Sequence, residues 1–231
     1  MQPIPPNYMA YDRTIVVFSP DGRLLQVEYA RQAVKRGSTA VGLVTKEGVI
    51  LGATKSSAPL GVTATPKKVF EIDNHIGAVS SGLLADARNL IEAARIKSQV
   101  NKLTYGEPIS VNTITKSIAD QKHMVTQYAG VRPYGVGLLI GGFDSIGPTM
   151  FETDPSGTMI EWRAQAIGRG AEKAKKVLKQ DYREEMLLKE GIKLVLKALK
   201  AGEKEATKES MEVAVITKDK FRLLSAKDIE R

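Results

Sequence analysis

Phe18-Ser19-Pro20-Asp21-Gly22-Arg23-Leu24-Leu25-Gln26-Val27-Glu28-Tyr29-Ala30 sets the frame for the rest of the chain. A serine side chain accepts a hydrogen bond from an orphan helical N–H, and proline at the first helical position supplies φ without needing its own N–H. Aspartate then sits favourably on the helix dipole. The run therefore predicts a helix over 20–35. Leu24, Val27, Arg31 and Val34 recur at i, i+3, i+7 and i+10, a narrower stripe than a core helix shows, which suits an interface.

Downstream, Ser38 to Val44 and Val49 to Thr54 are rich in β-formers around the turn Lys46-Glu47-Gly48, a hairpin pattern. A second pair, Val69 to Ile72 and Ile76 to Ser80, flanks Asp73-Asn74. Ala87, Leu90, Ile91 and Ala94 share one helical face, and Val111, Ile114, Ile118 and Val125 share another. Strand character returns from Pro133 to Gly142 and from Thr149 to Asp154; the turn Asp154-Pro155-Ser156-Gly157 leads into one further extended stretch, Thr158 to Ala166. Helices follow at Ala171 to Tyr182 and around Leu188, Ile192, Val195, Leu196 and Leu199, then strands at Val213 to Ile216 and Phe221 to Leu224. The order β, αα, β, αα, β without a Pro/Gly/Ser linker predicts one layered domain over 1–231, with two sheets between helix pairs and an added N-terminal helix.

Composition narrows the function. With 42% hydrophobic and 26% charged residues over 231 positions, the chain is ordinarily globular and long enough to bury roughly 70–75% of its unfolded surface without staples. It has no cysteine and only His75 and His123, which excludes disulfides, thiolate sites and a His-rich metal site. Neither metal nor cofactor is expected. No apolar run reaches membrane-spanning length, and Met1 to Asn7 lacks the charged and apolar regions of a secretory signal, so the cytoplasm is the expected compartment. The net charge of +8 would permit nucleic-acid binding, but from Glu172 to Glu209 lysines alternate with acids such as Asp181, Glu184 and Glu190. Such interleaving reads as solvated, paired helix faces, and neither nucleic acid nor membrane is an expected partner.

Three patterns could carry chemistry. Gly168-Arg169-Gly170 precedes a helix, as in phosphate-binding turns, yet Lys173 stands where the third glycine of that fingerprint belongs. His75 and His123 are far apart in sequence, each without an obvious acid partner, so a His-based triad is not expected. Gly37-Ser38-Thr39 resembles the cleavage point of self-processing hydrolases, which free a Ser or Thr whose α-amino group then serves as base. Here both hydroxyls are internal, and Ala53-Thr54-Lys55 on the following strand supplies no carboxylate. A self-processing N-terminal Ser/Thr peptidase stands as the alternative reading.

The run from Tyr11-Asp12-Arg13 to Ala30 resembles the N-terminal signature of proteasome α-type subunits. The likeness continues through Gly37-Ser38-Thr39-Ala40, Ser81-Gly82-Leu83, Ala85-Asp86-Ala87-Arg88, Thr126-Gln127-Tyr128, Val131 to Val136, Asp154-Pro155-Ser156-Gly157 and Ala166-Ile167-Gly168. The resemblance implies an α+β fold, the four-layer αββα sandwich of N-terminal-nucleophile hydrolases. It further implies a non-catalytic subunit of homo-heptameric α rings that orders assembly, gates unfolded polypeptide substrates and docks activators, while β subunits degrade protein. Residues 1–12 would be the gate, with Tyr11, Asp12, Pro20 and Tyr29 holding its open arrangement. Lys68, Gly82 and Leu83 would receive the C-terminal tails of an ATPase activator.

Overall fold

The structure, a computed structural model, describes residues 16–55, 67–207, 210–218 and 220–225. Its first helix, α1, runs from Leu25 to Arg36, not from residue 20. Ser19 to Arg23 instead closes a turn: Gly22 N–H donates to Ser19 O at 2.8 Å, Ser19 N–H donates to Arg23 O at 2.9 Å, and the Ser19 hydroxyl accepts the Arg23 N–H at 3.1 Å. The left-handed conformation of Gly22, φ 76°, fixes this outcome, because Pro-Asp-Gly is a stronger turn than Ser-Pro is a cap. The buried stripe shifts accordingly, to Leu25, Val27 and Ala30, with Val34 half-buried.

Small and β-branched residues then form β1 (Ala40–Thr45) and β2 (Gly48–Thr54), paired antiparallel with Ala40 opposite Ala53 and Thr45 opposite Gly48. Every residue of β2 is buried, so the strand is covered on both faces. The chain continues through β3 (Val69–Asp73), β4 (Ile76–Gly82), α2 (Leu84–Tyr105), α3 (Val111–Val125), β5 (Val136–Asp144) and β6 (Gly147–Thr153). The extended stretch expected over 158–166 is two strands, β7 (Met159–Glu161) and β8 (Ala164–Ile167), in different sheets. Trp162 N–H still donates to Met150 O on β6 at 2.9 Å, while Arg163 O already accepts Val44 N–H from β1 at 2.8 Å. The chain changes sheets between those two residues. It ends with α4 (Ala171–Asp181), α5 (Leu188–Gly202), β9 (Met211–Thr217) and β10 (Phe221–Leu223).

The result is an α+β sandwich of four layers. One sheet has the order β10-β9-β2-β1-β8 and the other β3-β4-β5-β6-β7, with every neighbouring pair antiparallel. Between the sheets lies an apolar layer that includes Val49, Leu51, Val79, Leu139 and Ile216. Leu90, Ile91 and Ile114 of α2 and α3 cover the second sheet, and Leu178, Val195 and Leu199 of α4 and α5 cover the first. Helix α1 stands outside this stacking and packs on β4 and β5. Its last turn leads directly to Gly37, at the edge where the two sheets meet.

Candidate functional site where the first helix meets the sheets

Gly37 admits no side chain: an added Cβ would stand 2.3 Å from Gly82 N and 2.4 Å from Ser81 Oγ. This close approach joins the end of α1 to the end of β4, and both segments carry motif residues. Ser81 Oγ bridges them, lying 3.1 Å from Val34 O and 3.0 Å from Ser38 O. Beyond Ser38 lies Lys68, only 4% exposed. Its Nζ donates to Ser38 O at 3.0 Å and also to Ser38 Oγ, whose own proton goes to Thr54 O at 2.9 Å.

Thr39 is held by a carboxylate that no local reading of the sequence finds. Glu203, just past α5, accepts from Thr39 N–H at 2.7 Å, and its Oε1 lies 3.1 Å from Thr39 Oγ1. Gly170 N–H donates to Thr39 Oγ1 at 3.0 Å, Arg169 N–H donates to Gly37 O at 2.8 Å, and the Arg169 guanidinium pairs with Glu203. Burial pushes the Glu203 carboxyl up, but Arg169 and the Thr39 N–H more than offset it and hold the group below its usual range. The expected lack of a carboxylate in 53–55 is a fact of the hairpin, where Thr54 N–H donates to Thr39 O at 3.0 Å. The acid arrives from the far end of the domain instead.

In this arrangement Ser38 and Thr39 carry peptide N–H groups, and the ammonium beside Ser38 Oγ donates to it rather than taking its proton. The Arg169 and Gly170 N–H groups are spent on Gly37 and Thr39, so the turn before α4 ties the chain to itself. The two histidines lie elsewhere: His75 Nε2 is 2.8 Å from Ile109 O, and His123 Nδ1 is 3.3 Å from Ser156 O. Among the described residues no group of His, Asp or Glu could hold a metal ion, and no helix is long and apolar enough to cross a membrane.

A groove of about 580 Å³ opens between α1 and the end of β4, lined by Tyr29, Ala33, Arg36, Gly37, Gly82 and Leu83. Tyr29 is 46% and Leu83 47% exposed. The fold thus brings together residues to which the resemblance assigns two different tasks, Tyr29 to the gate and Gly82 with Leu83 to activator docking. Lys68 is not on the groove wall but behind it, one residue past the Ser81–Ser38 link. Pro20 lies on the exposed turn before α1. Tyr11 and Asp12 lie outside the described residues.

Two ion pairs join the remaining motifs. Arg132 grips Asp86 through two bonds of 2.6 and 2.7 Å, and Gly135 N–H donates to the same carboxylate at 2.8 Å. Burial pushes the Asp86 carboxyl up, but Arg132 and Gly135 bring it below its usual value. Gly135 O then accepts Leu83 N–H at 2.9 Å, which fixes one wall of the groove. On α1, Arg31 donates to Asp154 at 2.8 and 3.0 Å; Asp154 also accepts from Ser156 and Thr158 N–H groups at 3.0 Å each.

Comparison with known proteins agrees with this geometry. The family described as "Proteasome subunit" matches residues 34–216, and the N-terminal signature of the A type of proteasome subunits matches residues 11–33. The chain belongs to the proteasome subunit family, in its α type, a component of the core particle. The proteasome α subunit of Methanopyrus kandleri is 51% identical over 229 residues, covering 98% of this chain and 93% of that protein. The α subunit of Thermococcus sibiricus is 48% identical over 231 residues, covering 99% and 88%, and that of Methanocaldococcus jannaschii is 46% identical over 234 residues, covering 100% and 89%.

Proposed function

We propose that this protein assembles with its own copies into a seven-membered ring at the end of a barrel-shaped threonine protease, where it orders assembly, gates unfolded polypeptides and docks an activator. Peptide hydrolysis belongs to separate β subunits. The observation that carries the reading is the junction of α1 with Gly37, Gly82 and Leu83, which sets an open groove beside a buried ammonium on an α-type scaffold. An apolar C-terminal tail fits such a groove, with its carboxylate toward Lys68. The Pro-rich residues 1–12 form the gate, with Tyr11, Asp12, Pro20 and Tyr29 holding it open.

Co-expression with a β subunit tests the reading. Complete particles should retain the full-length α chain by intact mass, and removal of residues 2–11 should leave rings intact while raising hydrolysis of small peptides. Equal rates before and after truncation, in verified particles, would remove the gating role. A mature species beginning at Ser38 or Thr39 would instead favour the self-processing peptidase.

A further inference from the structure

We propose that Ser38 and Glu212 are positioning residues for Lys68, holding its ammonium behind the Gly82–Leu83 groove with one N–H left over for a terminal carboxylate. The inference rests on the docking reading above and deepens it.

An ammonium has three N–H donors. Ser38 takes two, through its carbonyl at 3.0 Å and its hydroxyl oxygen, and among the described residues no other acceptor takes the third. The Ser38 hydroxyl can accept because its own proton is committed to Thr54 O at 2.9 Å. Lys68 is thereby oriented by neutral acceptors, and among the described residues no carboxylate lies within ion-pair distance of its Nζ. A buried cation with no carboxylate in direct contact is costly, and a ligand carboxylate would supply that contact.

The nearby acids are spent elsewhere. Glu212, on β9 and 5% exposed, pairs through Oε1 with Lys55 at 2.7 Å; its Oε2 accepts the backbone N–H groups of Lys68 at 3.0 Å and Val69 at 3.3 Å. It thus fixes the chain on which Lys68 stands without neutralising the side chain. Glu203 is held by Arg169 and Thr39. Burial brings the Lys68 ammonium down to about 8; Glu203 opposes that shift, Arg169 adds to it, and Glu212 opposes it. The route to the groove is short, because Ser81 Oγ touches the same Ser38 carbonyl and the next residue, Gly82, lines the groove.

The test uses the full-length assembled chain and a short fluorescein-labelled peptide with an apolar C-terminus, made as the free acid and as the C-terminal amide. Fluorescence anisotropy should show that the wild type prefers the acid, and that the preference fades as pH rises through about 8. Ser38→Ala and Glu212→Gln should each weaken binding of the acid by about 10- to 100-fold and move the alkaline loss to lower pH. Ser38→Thr, which keeps the hydroxyl, should restore both. A Lys68→Ala variant that still prefers the acid would overturn the docking reading itself. Loss of that preference in Lys68→Ala, with Ser38→Ala and Glu212→Gln unchanged in affinity and pH profile, would overturn only the positioning proposal. Should Glu212→Gln fail to assemble, the Ser38→Ala and Ser38→Thr pair decides.

Discussion

Lys68 and Lys122 are both buried lysines, yet their ammonium groups are hydrogen-bonded to different extents. Lys122 on α3 is fully enclosed, and its Nζ donates to Val136 O at 3.0 Å, Thr153 O at 3.0 Å and Thr153 Oγ1 at 2.8 Å. All three of its donors are used, and together they tie α3 to the start of β5 and the end of β6. Among the described residues Lys68 uses two of its donors, both on Ser38, whose carbonyl also accepts from Ser81, the neighbour of the groove residue Gly82. A saturated ammonium acts as a structural tie, whereas one with a donor to spare keeps capacity for a further acceptor. Burial shifts both in the same direction, Lys122 to about 7 and Lys68 to about 8, so hydrogen-bond occupancy, not titration, separates them.

The largest expected effect is on the saturated lysine. Lys122→Ala should cost on the order of 3–5 kcal/mol, because it removes a packed stem and orphans buried acceptors. Thermal melting of the assembled chain would show a fall of roughly 10 °C. A melting point within a degree of wild type would break the comparison. Lys68→Ala should leave melting nearly unchanged and instead abolish activator-stimulated degradation, while the adjacent exposed Lys67→Ala leaves that activity intact. Equal behaviour of these two variants would place Lys68 outside the docking site.

A pH series sharpens the contrast at intermediate size. The folded state holds Lys122 at about 7, against an ordinary lysine value of 10.5, so the unfolded chain binds more protons between those two values. Stability must then rise with pH across that window, with the full cost of the buried charge present below about 7. Urea midpoints should show a steeper rise in wild type than in Lys122→Met, where Lys68, held at about 8, keeps a smaller slope of the same sign; the same slope in both would assign the effect to other groups. The smallest effect belongs to Arg31→Ala. Its bond to Asp154 is partly solvated on both sides, and removing it should cost about 1 kcal/mol or less. A larger loss, or a failure of rings to form in size-exclusion chromatography, would give that pair a role in holding α1 for assembly.

Much of the fold was legible in local pattern. The hairpins around Lys46-Glu47 and Asp73-Asn74, the buried faces of α2, α3 and α5, and the turn at Asp154 follow from turn chemistry and periodicity. The helix start misled because Ser19-Pro20 satisfies a capping rule while Gly22, three residues beyond Ser19, adopts a backbone that no helix continues. The stretch 158–166 misled because strand propensity carries no information about which sheet a strand joins. Of the site, Gly82, Leu83 and Tyr29 were named from motifs, but their shared groove was not foreseen. Nothing in the sequence marked Lys122 as buried, since its position on the inner face of α3 competes with the expectation that lysine is solvated.

Residue order alone was enough for most of the succession of elements and for the α-type signature. Which charges matter emerged only with the packed fold. Glu203 reaches Thr39 from 164 residues away, Glu212 reaches Lys68 from 144, and Arg31 reaches Asp154 from 123. Local pattern reports the nearest neighbours of a residue through turn chemistry and periodicity. Hydrogen bonds and ion pairs across a four-layer sandwich depend on distances in space, and these exist only once the sheets have packed.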